Sequence, residues 1–177
     1  MTRVLVVYES MFGNTREIAK AVAEGLADAG TVDLVEVGAA PAVLPDDVDL
    51  LVVGAPTHAF GLSRPSTRKS AAGQAVGEVV STGIGLREWL EGLRPNDKTV
   101  VVTAFDTRVK VPLMPGSAAR RALGRLRGLG FPALARSASF YVTGTPGPLR
   151  EGELDRARQW GARLAAAHSA RRLEQGS

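Results

Sequence analysis

The sequence contains no cysteine, only two histidines, and no apolar run near the roughly 20 residues that cross a bilayer. Without cysteine, the chain has no disulfide, no cysteine nucleophile and no cysteine-ligated zinc or iron–sulfur centre. The two histidines, His58 and His168, lie far apart, which disfavours a histidine-rich metal site. No signal-peptide pattern precedes the first apolar segment, so we expect a cytoplasmic protein without a membrane span.

The composition is that of a folded, basic domain. The 177 residues are 45% apolar, and 22 Lys and Arg against 18 Asp and Glu give a formal net charge of +4. The apolar share excludes a disordered chain, and the length suits one domain. We expect that domain over residues 1–170, followed by a polar tail over residues 171–177 that frays.

Short apolar runs alternate with longer amphipathic stretches. Residues 4–8, 51–53 and 100–104 are apolar at nearly every position, which is typical of strands buried on both faces. Residues 32–37 and 135–142 alternate more, as edge strands do. Helical stripes lie between these runs, and only the segment over residues 63–81 is ambiguous. Strands that alternate with helices predict a doubly wound α/β domain with a parallel sheet.

Ligands of such sheets bind beyond the carboxyl ends of the strands, and the loop over residues 9–15 is the most informative one there. The hydroxyls of Ser10 and Thr15, the Asn14 amide, a glycine and the free amides of a helix start together suit a phosphate. The same residues also fit a plain helix cap, with Asn14 as the N-cap and Glu17 three residues on.

Other phosphate-binding motifs are missing. The sequence has no G-x-x-x-x-G-K-[ST] and no G-x-G-x-x-G after the first strand, which disfavours nucleoside triphosphates and dinucleotides bound in the usual way. A two-component receiver domain needs an acidic residue beyond its third strand, where this chain has Gly-Ala-Pro at residues 54–56.

The first loop and its flanks resemble the signature of the flavodoxin family. The matching residues are Val6, Val7, Tyr8, Ser10, Gly13, Thr15, Ala19 and Val22. Residues 54–61 resemble the family's Gly-x-Pro-Thr segment. The resemblance implies a doubly wound, three-layer flavodoxin-like fold, with five parallel strands in the order 2-1-3-4-5 and FMN as the cofactor.

The resemblance also implies which residues bind the cofactor. The FMN phosphate is expected on Ser10, Met11, Phe12, Gly13, Asn14 and Thr15. One side of the isoalloxazine is expected on Pro56, Thr57, His58, Ala59, Phe60 and Gly61. The other side is expected on Phe105, Asp106, Thr107 and Arg108, in a loop over residues 105–116. No catalytic side chain and no metal is implied, because the flavin supplies the redox chemistry.

Two features depart from the electron-shuttle members of that family, which are typically acidic and stack Trp or Tyr on the flavin. The isoelectric point here is about 10.0, and the ring-facing loops contain only Phe60 and Phe105 as aromatic residues. We therefore expect electron exchange with either a redox partner protein or a small-molecule acceptor such as a quinone. The alternative is a flavin-free structural or regulatory module on the same fold.

The remaining charged residues leave alternatives open. His58 either contacts the cofactor or is a solvated loop histidine, and the same choice holds for Asp106 and Arg108. One helical stretch is rich in arginine, with four between residues 120 and 127, but no aromatic residues are interleaved with them. We therefore expect no nucleic acid partner.

Overall fold

The computed structural model describes residues 1–75, 77–96, 98–113 and 115–177. Position 76 of the ambiguous segment and position 114 of the predicted third loop lie outside the described residues. The strands are β1 (Thr2–Tyr8), β2 (Gly30–Glu36), β3 (Leu50–Pro56), β4 (Val101–Val109) and β5 (Ala138–Val142). The α-helices are α1 (Asn14–Leu26), α2 (Pro65–Gln74), α3 (Leu86–Gly92), α4 (Ala118–Gly128) and α5 (Glu153–Gln175).

The five strands form one parallel sheet in the order β2-β1-β3-β4-β5, which confirms the predicted topology. Side chains of the central strands alternate between two apolar layers. On β1, Val4 and Val6 pack with α1 and α5, whereas Leu5 and Val7 pack with α3 and α4. Both faces are therefore buried, which explains why the central strands are apolar at successive positions.

The helix α2 differs from the others because it contributes little to either layer. Pro65 occupies its first turn, where a missing N–H costs nothing, and Ala71 is its one buried residue. No helix within the described ranges is long and apolar enough to cross a membrane.

Some element boundaries differ from the predicted ones. Strand β4 continues to Val109, because residues 105–109 pair with β3 and β5, so the expectation of a loop from Phe105 onward is wrong. Helix α1 ends at Leu26, and Gly30 opens β2. Helix α5 runs to Gln175, through most of the segment expected to fray.

Candidate functional site

A cavity of about 300 Å³ lies at the carboxyl edge of the sheet. It borders β1 and β3, where the chain leaves the sheet toward opposite sides, which is the usual ligand site of doubly wound folds. Eight of the residues singled out from the sequence line it: Phe12, Asn14, Pro56, Thr57, His58, Ala59, Thr107 and Arg108. Helix α2 and residues 144–146 complete its wall, and the sequence had no motif to reveal either contribution.

The turn between β1 and α1 is built around Gly13 and Ser10. Gly13 has a φ of 94°, in the left-handed region that favours glycine. The Ser10 hydroxyl accepts hydrogen bonds from the amides of Gly13 (3.1 Å) and Arg16 (3.3 Å). The Asn14 side chain donates instead to Pro146 O, at 2.8 Å, so the expectation of Asn14 as the N-cap is wrong. In the first turn, the amides of Asn14 and Thr15 have no acceptor within the helix.

A distant segment holds this turn in place. The amides of Val80 and Ser81 donate to Met11 O (3.1 Å) and Ser10 O (2.7 Å). In return, the Ser10 amide donates to the Ser81 hydroxyl at 2.9 Å. These bonds bury Ser10 and Met11, so their side chains do not line the cavity. The contribution of residues 80–81 had no local signal in the sequence.

Two buried threonines join α1 to β4 beneath the cavity. The hydroxyl oxygens of Thr15 and Thr107 lie 2.7 Å apart, and either can be the donor. Each hydroxyl has one hydrogen to donate and two lone pairs. One bond therefore leaves each threonine with further hydrogen-bonding capacity, and Thr107 also lines the cavity.

The loop after β3 ends in a tight turn. The backbone groups of His58 and Gly61 exchange two hydrogen bonds, of 2.8 and 2.9 Å. The two central residues, Ala59 and Phe60, have φ values of 44° and 69°, which are costly for residues other than glycine. This turn holds the Phe60 side chain 50% exposed, and neither Phe60 nor Gly61 lines the main cavity.

Gly116 allows the backbone of that turn to approach it closely. Its φ is 88°, and a Cβ atom there would overlap the Phe60 carbonyl oxygen. Gly116 O also accepts a hydrogen bond of 2.8 Å from Arg108 Nη1. The Arg108 guanidinium is thereby fixed between the main cavity and a neighbouring one of about 360 Å³ that Phe60 and Val111 line.

The other two residues expected beside the ring lie elsewhere. Phe105 is 1% exposed and packs edge-to-face on Phe140 and Trp160 in the core. Asp106 points to the opposite layer, where its Oδ2 accepts hydrogen bonds at the start of α4, including one of 3.1 Å from the Ala119 amide. The cavity lies at the carboxyl edge of the sheet, so the last residues of the expected set, Thr107 and Arg108, line it, whereas Phe105 and Asp106 lie further back along β4.

The titratable groups in the wall of the main cavity are His58 and Arg108. Burial lowers the pKa of His58, and repulsion from the nearby Arg68 lowers it further. His58 is therefore neutral at pH 7, with Nδ1 3.2 Å from the Thr67 hydroxyl. Arg108 is then the permanent charge of the wall, and no carboxylate lines it among the described residues. The cavity favours an anionic or electron-rich ligand.

The residue that precedes Ser10 is a buried acid, which the sequence interpretation passed over. Glu9 Oε1 accepts hydrogen bonds from the Ser63 hydroxyl (2.9 Å) and the Leu86 amide (2.7 Å), while Oε2 is buried without a partner. Burial raises the pKa of Glu9, although these two hydrogen bonds favour the charged form. An acid directly after the apolar run over residues 4–8 was the available signal. No group of His, Asp and Glu suited to a metal occurs in the described part of the chain.

The chain is similar to known flavodoxins. The family model described as Flavodoxin matches residues 6–104. Flavodoxin 1 from Bacillus cereus is 15% identical with a TM-score of 0.66, over 93% of this chain and 98% of that one. A flavodoxin from Streptococcus pneumoniae TIGR4 is 21% identical with a TM-score of 0.64, over 93% and 99%. At these identities the two structures establish the shared fold.

A curated relative matches a shorter stretch. The protein named NAD(P)H dehydrogenase (quinone) from Bradyrhizobium sp. (strain ORS 278) is 51% identical over 49 residues. That stretch covers 27% of this chain and 23% of the relative.

Proposed function

Because the chain belongs to the flavodoxin family, we propose that it binds FMN in the cavity at the carboxyl edge of the sheet and acts as a redox protein. The observation that supports this most is the convergence of separate loops on one cavity. Residues from the β1–α1 turn, the loop after β3 and the end of β4 all line it. Its volume of about 300 Å³ lies in the range of small-molecule sites.

The donors at the start of α1 suit the phosphate group. The amides of Asn14 and Thr15 lack acceptors within the helix, and the positive end of the helix dipole favours an anion there. The left-handed conformation of Gly13 turns the chain into the helix without a side chain. Hydrogen bonds between the protein and a phosphate are charge-assisted, so a few of them suffice for tight binding.

The opposite end of the cavity suits a flat ring. Pro56 and Ala59 offer apolar surface there, and Thr107 and Arg108 add polar groups to the same wall. Bound FMN would supply one- or two-electron transfer. The protein positions the ring, and the Arg108 guanidinium favours negative charge near it. His58 is neutral at pH 7 and is suited to hydrogen bonding.

We propose that the electron acceptor is a small planar, conjugated molecule such as a quinone, with a redox partner protein as the second candidate. The neighbouring cavity of about 360 Å³ supports the first, because Phe60, Val109 and Val111 give it an apolar wall and Arg108 gives it one cation. The name of the Bradyrhizobium relative is consistent with this acceptor. On the quinone proposal, the acceptor binds in this neighbouring cavity, whose wall includes Phe60.

The cofactor can be tested directly. Flavin released from the purified protein should chromatograph as FMN, and FMN added to the apo-protein should lose its fluorescence with a stoichiometry near one. FAD or a nicotinamide in stoichiometric amount would contradict the proposal. A colourless protein that leaves FMN fluorescence unchanged would instead support the flavin-free module.

A matched pair of glycine variants locates the site. Gly13→Val and Gly130→Val strain similar backbones, with φ values of 94° and 98°, but Gly130 lies at the far end of α4. We expect Gly13→Val to weaken FMN binding by about 10- to 100-fold, since it disturbs the phosphate donors. Gly130→Val should bind FMN as the unmodified protein does. If both variants lost FMN affinity equally, the flavin would bind elsewhere.

A further inference from the structure

A second cavity, of about 250 Å³, lies at the amino-terminal edge of the sheet. It is opposite the main cavity, in which we propose that FMN binds and which is called the flavin cavity below. It lies between the starts of β3 and β4 and the last turns of α5. Its charged and polar lining consists of Asp49, Lys98, Thr99, His168, Arg171, Arg172 and Gln175. Three of these side chains are permanent cations at pH 7, and Asp49 is the one carboxylate among the described lining residues.

The charge of Asp49 is already compensated. One of its oxygens lies 2.7 Å from Lys98 Nζ, and the other accepts a hydrogen bond of 2.9 Å from the Arg3 amide. Although burial works against the charged form, these donors lower the pKa of Asp49. Both oxygens of the Asp49 carboxylate therefore have partners, and among the described contacts neither Arg171 nor Arg172 forms an ion pair with it.

Two buried nitrogen atoms at this cavity lack hydrogen-bond partners. His168 is 4% exposed, and its Nδ1 has no partner within the protein. Arg171 Nε is likewise buried without an acceptor. Such groups are rare in folded proteins, and a bound ion or water is one of the explanations for them. The helix dipole accounts for Arg172, a cation in the last turn of α5, but not for the enclosed Arg171 nitrogen.

We infer that this cavity binds a phosphate group, held by Arg171 and Arg172 with His168 beside them. Guanidinium groups donate paired hydrogen bonds that match the oxygens of a phosphate. Arg172 Nη1 already donates to the Thr2 hydroxyl at 2.7 Å, which fixes that side chain at the edge of the cavity. The volume exceeds that of a single phosphate ion, so a small phosphate monoester also fits. This site does not depend on the proposed flavin function.

The two histidines make the inference testable by NMR. His168 reports on this cavity and His58 on the flavin cavity, so their imidazole proton signals separate the two sites. Inorganic phosphate added to the full-length protein should shift the His168 signal saturably. It should also raise the pKa of His168, whose charged neighbours are Asp49, Arg171 and Arg172, because a bound anion favours the imidazolium. A shift confined to His58 would place the anion in the flavin cavity and overturn the inference.

Variants of the lining residues test which side chains hold the phosphate. Arg171→Gln should weaken phosphate binding at His168 by about 10-fold or more. Arg163→Gln is the control, since Arg163 is exposed on the same helix and does not line the cavity. If Arg171→Gln does not fold, Lys98→Gln tests the same charge cluster from the segment that precedes β4. Equal affinities in a folded lining variant and the control would overturn the inference.

The source of the phosphate group is decided by comparing inorganic phosphate with AMP. Tighter binding of AMP indicates a monoester as the ligand, and tighter binding of inorganic phosphate indicates the free ion. Acetate at the same concentration should leave the His168 signal nearly unchanged, because it lacks the tetrahedral set of oxygens. An equal response to acetate would show general ionic screening and would contradict a phosphate site.

Discussion

The hydroxyl pair of Thr15 and Thr107 allows the structural and the binding role of one loop to be separated. The two oxygens are 2.7 Å apart and buried, and they join the first turn of α1 to β4. Replacing either threonine by valine keeps the shape and leaves the other hydroxyl buried without its partner. Each single variant should therefore lose about 1–3 kcal/mol in free energy of unfolding.

The double variant Thr15→Val/Thr107→Val should recover most of that loss. When both partners become apolar and keep their shape, no buried hydroxyl remains unpaired, and the change is close to neutral. The loss in the double variant should thus be smaller than the sum of the two single losses by about 2–6 kcal/mol, which is most of that sum. Urea unfolding of the flavin-free proteins, followed by circular dichroism, measures all four free energies.

FMN affinity should follow a different pattern. We expect Thr15→Val to weaken FMN binding by about 10- to 100-fold through the loss of a charge-assisted hydrogen bond, and the double variant should not restore it. Thr103→Val is the control. It removes a buried hydroxyl that donates to Ala135 O at 3.2 Å, away from the cavity, and should lower stability without changing FMN affinity. Additive stability losses would contradict the pairing, and affinity restored together with stability would limit the pair to a structural role.

Three further predictions follow from single features. Gly116→Ala should displace the strained turn at Phe60, because a Cβ atom at residue 116 would overlap the Phe60 carbonyl oxygen. The variant should lose about 1–3 kcal/mol in free energy of unfolding, measured by thermal or urea unfolding. An unchanged unfolding midpoint would refute the overlap. The pKa of Glu9 is raised in the folded state, so this group contributes stability below the unfolded pKa that is lost as the pH rises through the folded value. As the pH rises from 4.5 to neutral, the free energy of unfolding should therefore fall less in Glu9→Gln than in the unmodified protein. If the two proteins show parallel pH profiles, Glu9 is not the cause of the pH dependence. With a net charge of +4, the FMN-loaded protein should react slowly with a basic cytochrome at low salt, and stopped-flow rates should rise or stay flat as salt is added; a steep fall would reveal an acidic docking face.

Much of the architecture was predictable from the sequence. Strands buried on both faces are apolar at successive positions, as in residues 4–8 and 100–104, and their alternation with amphipathic helices predicts a parallel sheet. The hydroxyls, glycine and helix start of the loop from Ser10 to Thr15 suit a phosphate as well as a helix cap, and Phe12 and Asn14 of this loop line the cavity. These features are encoded over short stretches, where the local chemistry of the chain is sufficient to recognise them.

The composition of the cavity wall depended on the tertiary structure. Strand pairing carries β4 on to Val109, so Phe105 lies within the core and the later residue Arg108 lies at the cavity. How far a strand pairs is decided by its neighbours in the sheet, which the run of apolar residues alone does not reveal.

The contacts that hold the site together also required the fold. Thr15 meets Thr107, the Ser10 turn meets Ser81, and Asn14 reaches Pro146, all across long separations in sequence. At the other end of the sheet, Arg171 and His168 come beside Asp49 in the same way. A serine, threonine or arginine bonds equally well to many partners or to water, so its sequence context does not select one. The packed sheet selects the partner, because it fixes which side chains are left within hydrogen-bonding distance and away from solvent.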